Sequence, residues 1–306
     1  MIPFFIVTGW LGSGKTSLLK NVLNEYGDKK RIAVIQNEFA SSGIDGIELK
    51  NSENDFKLIE INNGSVFCVC QLNNFTGLLE KLTVDYQPEV IFLESSGLAD
   101  PVSVAQILNA YGIKDKVILK NIITVIDAVN FTKTFQLMPR FKHQVLVADK
   151  LIVNKTDIAA GYEEEVIGVL KKWNPFAEIV ETTYGKFDYD NLISNSKTIS
   201  NKKEFESIKA GNKPEIGVSV LRMHEKPTQK QLTGFIEEIL PSSQRIKGFV
   251  NTSEGDTIAV QATYGQYELS VIEKYEGRSE LIIFNDEYTP GELHKMFKLK
   301  AAADEQ

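Results

Sequence analysis

Short apolar runs and stretches of helical periodicity alternate through the first two thirds of the chain. The runs are at residues 2–7, 31–35, 57–61, 90–93, 117–126, 151–153 and 177–180. Runs of this length are typical of strands buried on both faces of a parallel sheet. Between them, apolar residues fall at helical spacing at residues 17–23, 72–82 and 162–173. This alternation predicts an α/β fold with a mostly parallel sheet.

The last third of the chain has a different pattern. A polar stretch at residues 191–213 is followed by closely spaced runs and two amphipathic segments. The runs are at residues 216–221, 245–250, 257–263, 267–273 and 281–284, and the predicted helices are at 228–240 and 290–297. Closely spaced strands indicate an antiparallel sheet, here carrying two helices. We therefore predict a first domain at 1–190, a linker at 191–213 and a smaller α+β domain at 214–300.

The first apolar run leads directly into the sequence GWLGSGKT, residues 9–16, which precedes the first predicted helix. A strand, a glycine-rich loop and a helix in this order form the context of a phosphate-binding loop. The glycines let backbone N–H groups face phosphate oxygens, and the helix start adds free donors and a positive dipole end. The residues predicted to hold the nucleotide here are Gly9, Gly12, Ser13, Gly14, Lys15, Thr16 and Ser17. Lys15 would reach the β- and γ-phosphates, and the Thr16 hydroxyl would bind Mg²⁺.

Two later loops carry residues suited to phosphate chemistry. Glu94 follows the strand at 90–93, where a P-loop enzyme needs an acid beside Mg²⁺, and Gly97 can offer its N–H to the γ-phosphate. Asp45, in a polar loop at 36–46, can orient the attacking water or contact Mg²⁺ through water. Equally, Asp45 and the glycine after it can be a simple turn. The predicted catalytic residues are Lys15, Asp45 and Gly97.

The sequence NKTD, residues 154–157, follows the strand at 151–153. The Asp157 carboxylate can accept hydrogen bonds from both N1–H and the 2-amino group of guanine, whereas adenine offers no such pair of donors. Asn154 and Lys155 would brace the base and the phosphate loop. A lone tetrapeptide is a weak signal, but downstream of a phosphate loop and at a strand end it is strong. The sequence therefore predicts GTP as the bound nucleotide.

Composition narrows the range of partners. The chain has 306 residues and a formal net charge of −7, which argues against a broad nucleic-acid-binding surface. It has only two cysteines, so we expect no disulfide framework and a reducing, cytoplasmic setting. No stretch is long and apolar enough to predict a membrane span, and the N-terminal run is expected to be a strand, not a signal peptide.

Together these motifs resemble the CobW family of P-loop GTPases. The match is carried by residues 9–16, 37–39 with 43–46, 94–101, 154–157, and 174–175 leading to 184–185. The C-terminal domain resembles that of the family through residues 247–248 and 259–261. The resemblance implies a metallochaperone or metal-insertion factor that hydrolyses GTP to GDP and acts on a client metalloprotein or corrinoid protein. Known branches of the family are associated with cobalamin synthesis, zinc handling and nitrile hydratase activation.

The metal-binding motif departs from the family pattern, which has Cys-x-Cys-Cys directly after a glycine. Here Gly64 is followed by SVFCVC, so that Cys68 and Cys70 are the thiols that remain. With Glu38, water or a partner as a further ligand, they can bind Zn²⁺ or another transition metal. The alternative is that both cysteines are ordinary small residues packed in a loop.

Two functions are therefore compatible with the sequence. The first is a GTP-hydrolysing switch that delivers a metal or cofactor; turnover is expected to be slow, because neither an arginine finger nor a catalytic glutamine can be assigned. A second copy of the chain in a homodimer, or the client, would accelerate it. The second is a non-catalytic, GTP-gated scaffold that docks on a metalloenzyme or corrinoid protein and carries no metal. The missing thiols favour the scaffold more than they would in a typical relative.

Overall fold

The computed structural model describes residues 1–37, 57–61, 72–97, 101–108, 113, 115–131, 139–159, 161–193, 217–263, 265–285 and 287–302. Within these residues the chain forms two sheets and eight α-helices. The strands are β1 (Ile2–Thr8), β2 (Ile32–Asn37), β3 (Lys57–Ile61), β4 (Val90–Glu94), β5 (Val117–Asp127), β6 (Lys150–Asn154), β7 (Glu178–Glu181), β8 (Gly217–Met223), β9 (Ser243–Asn251), β10 (Thr257–Thr263), β11 (Gln266–Ile272) and β12 (Ser279–Asn285). The helices are α1 (Lys15–Tyr26), α2 (Leu72–Asp85), α3 (Pro101–Ile107), α4 (Pro139–Val147), α5 (Glu163–Trp173), α6 (Asp190–Ile193), α7 (Gln229–Ile239) and α8 (Pro290–Ala302).

The first sheet has seven parallel strands in the order β3-β2-β4-β1-β5-β6-β7. Strand β1 lies in the middle, and its side chains are buried alternately on the two faces. Phe5 and Val7 pack against α1, whereas Phe4 and Ile6 enter the core on the opposite face. Because all strands are parallel, their carboxyl ends meet at one edge, where ligands bind in open α/β sheets. The predicted α/β class is confirmed.

The second sheet has five antiparallel strands in the order β11-β10-β9-β12-β8. Helices α7 and α8 cover one face, where Phe235 and Phe297 meet edge to face at 5.1 Å. Helix α7 begins with a capping box, in which the Thr228 hydroxyl accepts from the Gln231 N–H and the Gln231 side chain accepts from the Thr228 N–H. An antiparallel sheet with two helices was the predicted arrangement, and it is confirmed.

The opposite face of the second sheet shares a core with the first sheet. Val220, Phe249 and Ile282 belong to the same apolar cluster as Phe4 and Ile6. The molecule is therefore layered, with the two sheets separated by helices and apolar side chains.

The structure contains three helices that the sequence pattern did not predict. Helices α3, α4 and α6 have seven, nine and four residues, and α3 and α4 each begin with a proline. A proline suits the first turn of a helix, but so short a segment shows too few periods of apolar spacing to be recognised. The last helix also runs to Ala302, five residues beyond its predicted end at residue 297. The domain boundaries stay a prediction, since residues 194–216 lie outside the described part.

A buried ion cluster joins the two sheets at Asp149, just before β6. Its carboxylate accepts hydrogen bonds from the Ile122 N–H at 2.8 Å, from Lys247 Nζ at 2.8 Å and from Arg245. The side chains of Asp149 and Lys247 are only 8% and 5% exposed. Burial raises the pKa of Asp149. The charges of Arg245 and Lys247 and the hydrogen bond from the Ile122 N–H lower it by more, so the net pKa lies below its ordinary value.

Replacing Asp149 by asparagine is expected to lower the free energy of unfolding by about 3 kcal/mol at neutral pH, because Lys247 and Arg245 lose their counter-charge. Since the pKa of Asp149 is lower in the folded state, its stabilising contribution is complete at neutral pH and is lost as the pH falls below about 4. Urea unfolding at several pH values should therefore show a shallower acid dependence in Asp149→Asn than in the wild type. The control is Glu164→Gln, which neutralises an exposed acid and should behave like the wild type. An Asp149→Asn protein that is as stable and as acid-sensitive as the wild type would contradict the expectation.

No helix in the described ranges has the length and apolarity needed to cross a membrane.

Candidate nucleotide-binding site

The loop between β1 and α1 has a backbone that requires glycine. Gly9, Gly12 and Gly14 have φ angles of 135°, 73° and 104°, in the left-handed half of conformational space. A Cβ at Gly9 would lie 2.2 Å from the Val125 carbonyl oxygen, and one at Gly14 would lie 2.2 Å from Asn154 Nδ2. At Gly9 and Gly14 the backbone of the loop therefore packs directly against neighbouring atoms, with no room for a side chain. Such a close-packed glycine backbone is what a phosphate-binding loop requires.

Two polar side chains within this loop point to an anionic ligand. The Lys15 side chain is only 7% exposed, and its Nζ donates to the carbonyl oxygens of Gly9 at 3.0 Å and Trp10 at 3.2 Å. The loop is thus wrapped around a buried ammonium group. The Ser13 hydroxyl is buried and has no hydrogen-bond partner among the described residues. An unsatisfied buried hydroxyl is costly, and a phosphate oxygen is a partner of suitable chemistry, so the loop fits a nucleotide phosphate.

The predicted magnesium-binding residues meet at the ends of adjacent strands. Thr16 Oγ1 lies 2.8 Å from Glu94 Oε1, and Gln36 Nε2 donates to Glu94 Oε2 at 2.8 Å. Hydroxyl and carboxylate oxygens are the hard ligands that Mg²⁺ prefers, so these residues fit the ion. Sequence reasoning did not assign Gln36 a role, because its place opposite Glu94 depends on the register of β2 and β4, which the sequence does not reveal. The amide of Gln36 orients the carboxylate without adding a second negative charge.

Gly97 lies directly against the phosphate loop. A Cβ at this position would be 2.9 Å from the Leu11 amide nitrogen and 3.3 Å from the Trp10 carbonyl carbon. Its own carbonyl oxygen accepts a buried hydrogen bond from Gln144 Nε2 at 3.1 Å. The structure therefore brings Gly97 to the loop that would hold the β- and γ-phosphates.

Asn154, the first residue of the predicted base-recognition motif, contacts the predicted phosphate loop. Its Nδ2 donates to the Ser13 carbonyl oxygen at 2.8 Å, and its Oδ1 accepts from the Gly185 N–H at 2.9 Å. Both contacts are buried. One side chain therefore fixes the distance between the phosphate loop and the loop at residues 182–185, which was predicted to close over guanine.

The neighbouring residues of the motif differ in their surroundings. Lys155 has a left-handed φ of 67°, and its Nζ lies 2.7 Å from Asp127 Oδ2. Burial raises the pKa of Asp127, but hydrogen bonds from Asn130 and Lys155 lower it further, so that the net pKa is below its ordinary value. Asp157 is exposed in the 3₁₀ turn Thr156–Ile158, with its carboxylate accessible to a base. Ser17, on the first turn of α1, is also exposed.

The loop at 182–185 is held in an unusual conformation. Tyr184 and Gly185 have φ angles of 55° and 70°, and a bulky residue in this region is strained. Asn21 on α1 donates to the Tyr184 carbonyl oxygen at 2.8 Å, and the Tyr189 hydroxyl donates to that of Gly185. The sequence did not reveal the contacts of Asn21 and Asp127, because each joins residues distant along the chain. The contact of Tyr189 with Gly185 is local, four residues apart.

Four predicted site residues lie outside the described part of the chain: Glu38, Asp45, Cys68 and Cys70. Among the residues that the structure does describe, no group of three or more His, Cys, Asp or Glu side chains can hold a metal ion. The predicted transition-metal site and the role of Asp45 therefore stay predictions.

Residues 3–181, more than half of the chain, match the family model of the CobW/HypB/UreG nucleotide-binding domain. The chain belongs to the CobW/HypB/UreG family. This membership confirms the resemblance that the motifs indicated. The matched range covers the seven strands of the parallel sheet except for Ile2, the first residue of β1.

Characterised relatives of this CobW/HypB/UreG protein include two metal-handling proteins. The zinc-regulated GTPase metalloprotein activator 1 of Schizosaccharomyces pombe is 34% identical over 194 residues, which are 61% of this chain and 47% of that protein. The zinc chaperone YjiA of Escherichia coli is 27% identical over 253 residues, 79% of this chain and 78% of that protein. The chain spans about half the length of the fission-yeast relative.

The fold also resembles a solved member of the family. The crystal structure of Zn(II)-bound YjiA GTPase from E. coli aligns with a TM-score of 0.52 and 22% identity, covering 97% of this chain and 98% of that one. At 22% identity, this structural similarity is evidence for the fold of the chain and not for its function.

Proposed function

We propose that this protein is a GTPase that uses the nucleotide cycle to deliver a metal to a client metalloprotein. The observation that carries the nucleotide part of the proposal is the pair of Asn154 hydrogen bonds, which couples the phosphate loop to the base-recognition loop. A phosphate loop alone would serve many nucleotides; the coupled Asp157 motif selects guanine. Family membership and the printed names of the relatives support the metal-handling part.

The chain's own residues can bind and polarise GTP. The amides of residues 9–16 and the Lys15 ammonium would hold the β- and γ-phosphates, while Thr16 and Glu94 would hold Mg²⁺, which supplies positive charge to the phosphates. Attack of water on the γ-phosphorus breaks the bond to the β–γ bridging oxygen and gives GDP and phosphate. Lys15 would stabilise the charge that develops on the transferred group and on the departing oxygen. The Gly97 N–H would contact the γ-phosphate and lose that contact on hydrolysis.

The cargo is a zinc ion or another transition metal, held by Cys68, Cys70 and Glu38. The relatives named as zinc chaperones support this choice of metal. A client protein or a second copy of the chain would complete the ligand set, since two thiolates and one carboxylate leave a coordination position open. The proposed domain division, at 1–190, 191–213 and 214–300, assigns nucleotide chemistry to the first domain and client docking to the last.

The metal part is tested by titrating Zn²⁺ and Co²⁺ into the purified chain with GDP and with a non-hydrolysable GTP analogue. We expect about one metal ion per chain, with thiolate-to-metal absorbance for Co²⁺, and an affinity that depends on the nucleotide. The variant Cys68→Ser/Cys70→Ser should lose that absorbance and still bind GTP. Equal metal uptake by this variant would exclude cysteine ligation. GTP-dependent client binding without any metal would instead support the scaffold function.

A further inference from the structure

A buried carboxylate of the second sheet contacts a histidine and an arginine from different parts of the molecule. Glu280 on β12 is only 4% exposed. Its Oε1 lies 3.1 Å from His143 Nε2 on α4, and its Oε2 accepts from Arg222 Nε on β8 at 2.7 Å. Because both oxygens are engaged, the side chain has little freedom to rotate.

The first of these contacts leads to Gly97. His143 is followed on α4 by Gln144, whose Nε2 donates to the Gly97 carbonyl oxygen at 3.1 Å. The Gln144 side chain is 1% exposed, and its backbone carbonyl oxygen accepts from Thr124 Oγ1 at 2.9 Å. Helix α4 is therefore fixed to the parallel sheet at the same turn that contacts Glu280, and a shift of this turn would move Gly97.

The second contact leads to helix α3. Arg222 Nη2 lies 3.5 Å from Ser103 Oγ on that helix. Arg222 therefore links Glu280 to β8 and to α3, while His143 links it to α4.

We propose that Glu280 is a positioning residue for nucleotide recognition, which keeps Gly97 against the phosphate loop through His143 and Gln144. This inference rests on the proposed function, in which the Gly97 N–H contacts the γ-phosphate. GDP has no γ-phosphate, so the position of Gly97 affects GTP binding and not GDP binding. By reciprocity, GTP would in turn stabilise the packing of the second sheet against α3 and α4.

The test compares two carboxylates at the same interface. Glu273 contacts Lys142 at 3.4 Å and Trp173 Nε1 at 2.7 Å, but its side chain is 51% exposed, so its ion pair with α4 is weaker than the buried contacts of Glu280. Affinities are measured by calorimetry with GDP and with a non-hydrolysable GTP analogue. Glu280→Gln should lower the affinity for the analogue at least about fivefold and leave the affinity for GDP unchanged. His143→Gln, at a side chain that is 15% exposed and easier to replace, should act in the same direction. Glu273→Gln should change neither affinity.

The outcomes distinguish the two proposals. If the wild type binds both nucleotides and Glu280→Gln or His143→Gln weakens them equally or not at all, the positioning role of Glu280 is wrong and the proposed function stands. If the wild type binds neither guanine nucleotide, both proposals fail. The variant Gln144→Ala should itself bind the GTP analogue more weakly than the wild type. Adding Glu280→Gln to it should lower that affinity little further, because both changes break the same path. Fully additive effects would contradict that path.

Discussion

Replacing Lys15 by alanine is expected to reduce GTP hydrolysis by about 100- to 1,000-fold, the usual cost of removing one preorganised donor to a developing negative charge. The ammonium group is buried inside the phosphate loop, where charge interactions are stronger than in water. Lys15 is the only lysine or arginine in residues 9–16, so we expect no other residue of the loop to restore the activity. Single-turnover measurement of phosphate release is the direct readout.

The matched control is Lys20→Ala, which removes a lysine from the same helix outside the loop. It should hydrolyse GTP at the wild-type rate. Because Lys15 also binds the carbonyl oxygens of Gly9 and Trp10, thermal unfolding of Lys15→Ala must be measured beside its activity. A folded Lys15→Ala protein with wild-type turnover would exclude the proposed hydrolysis mechanism.

The substitution Asp157→Asn is expected to weaken GTP binding by about 100- to 1,000-fold, since two hydrogen bonds to an ionised acceptor contribute about 1.5 kcal/mol or more each. An asparagine amide would present a donor to the 2-amino group of guanine. Xanthine has a carbonyl oxygen at that position, so the variant should bind xanthosine triphosphate more tightly than the wild type does. Calorimetry with GTP, ATP and xanthosine triphosphate measures all three affinities.

Because Asp157 is exposed, its replacement should leave the unfolding temperature unchanged. The control Glu165→Gln neutralises an exposed acid in the first turn of α5 and should bind GTP normally. Retention of the wild-type preference for GTP over ATP in Asp157→Asn would show that another residue recognises the base.

Much of the architecture was predictable because its signals are local. The apolar runs predicted the strands of both sheets, and the glycine loop predicted the turn between β1 and α1. The supporting residues of the site were not predictable, since their roles arise where distant segments meet. Gln36 is 58 residues from Glu94, and Gln144 is 47 residues from Gly97. Polar side chains at these places have no periodicity that would mark them in the sequence.

The same limitation applied to the short helices. Helix α4 contributes His143, Gln144 and the carbonyl groups that Asn174 binds, yet it has only nine residues. Its importance lies in tertiary contacts, which override weak local preference. The roles of Glu38, Asp45, Cys68 and Cys70 depend on residues outside the described ranges, and they stay predictions.

The apolar cluster that extends from Phe4 to Phe249 and Ile282 has a practical consequence for dissecting this protein. Cutting the chain after residue 193 would expose the apolar side chains of the first sheet that pack against the second. It would also remove Lys247 and Arg245, the ion-pair partners of Asp149. Such a fragment is expected to aggregate or to be degraded by proteases, so its inactivity would not show where the nucleotide binds. Point substitutions in the intact chain are therefore the sounder way to assign tasks to each half.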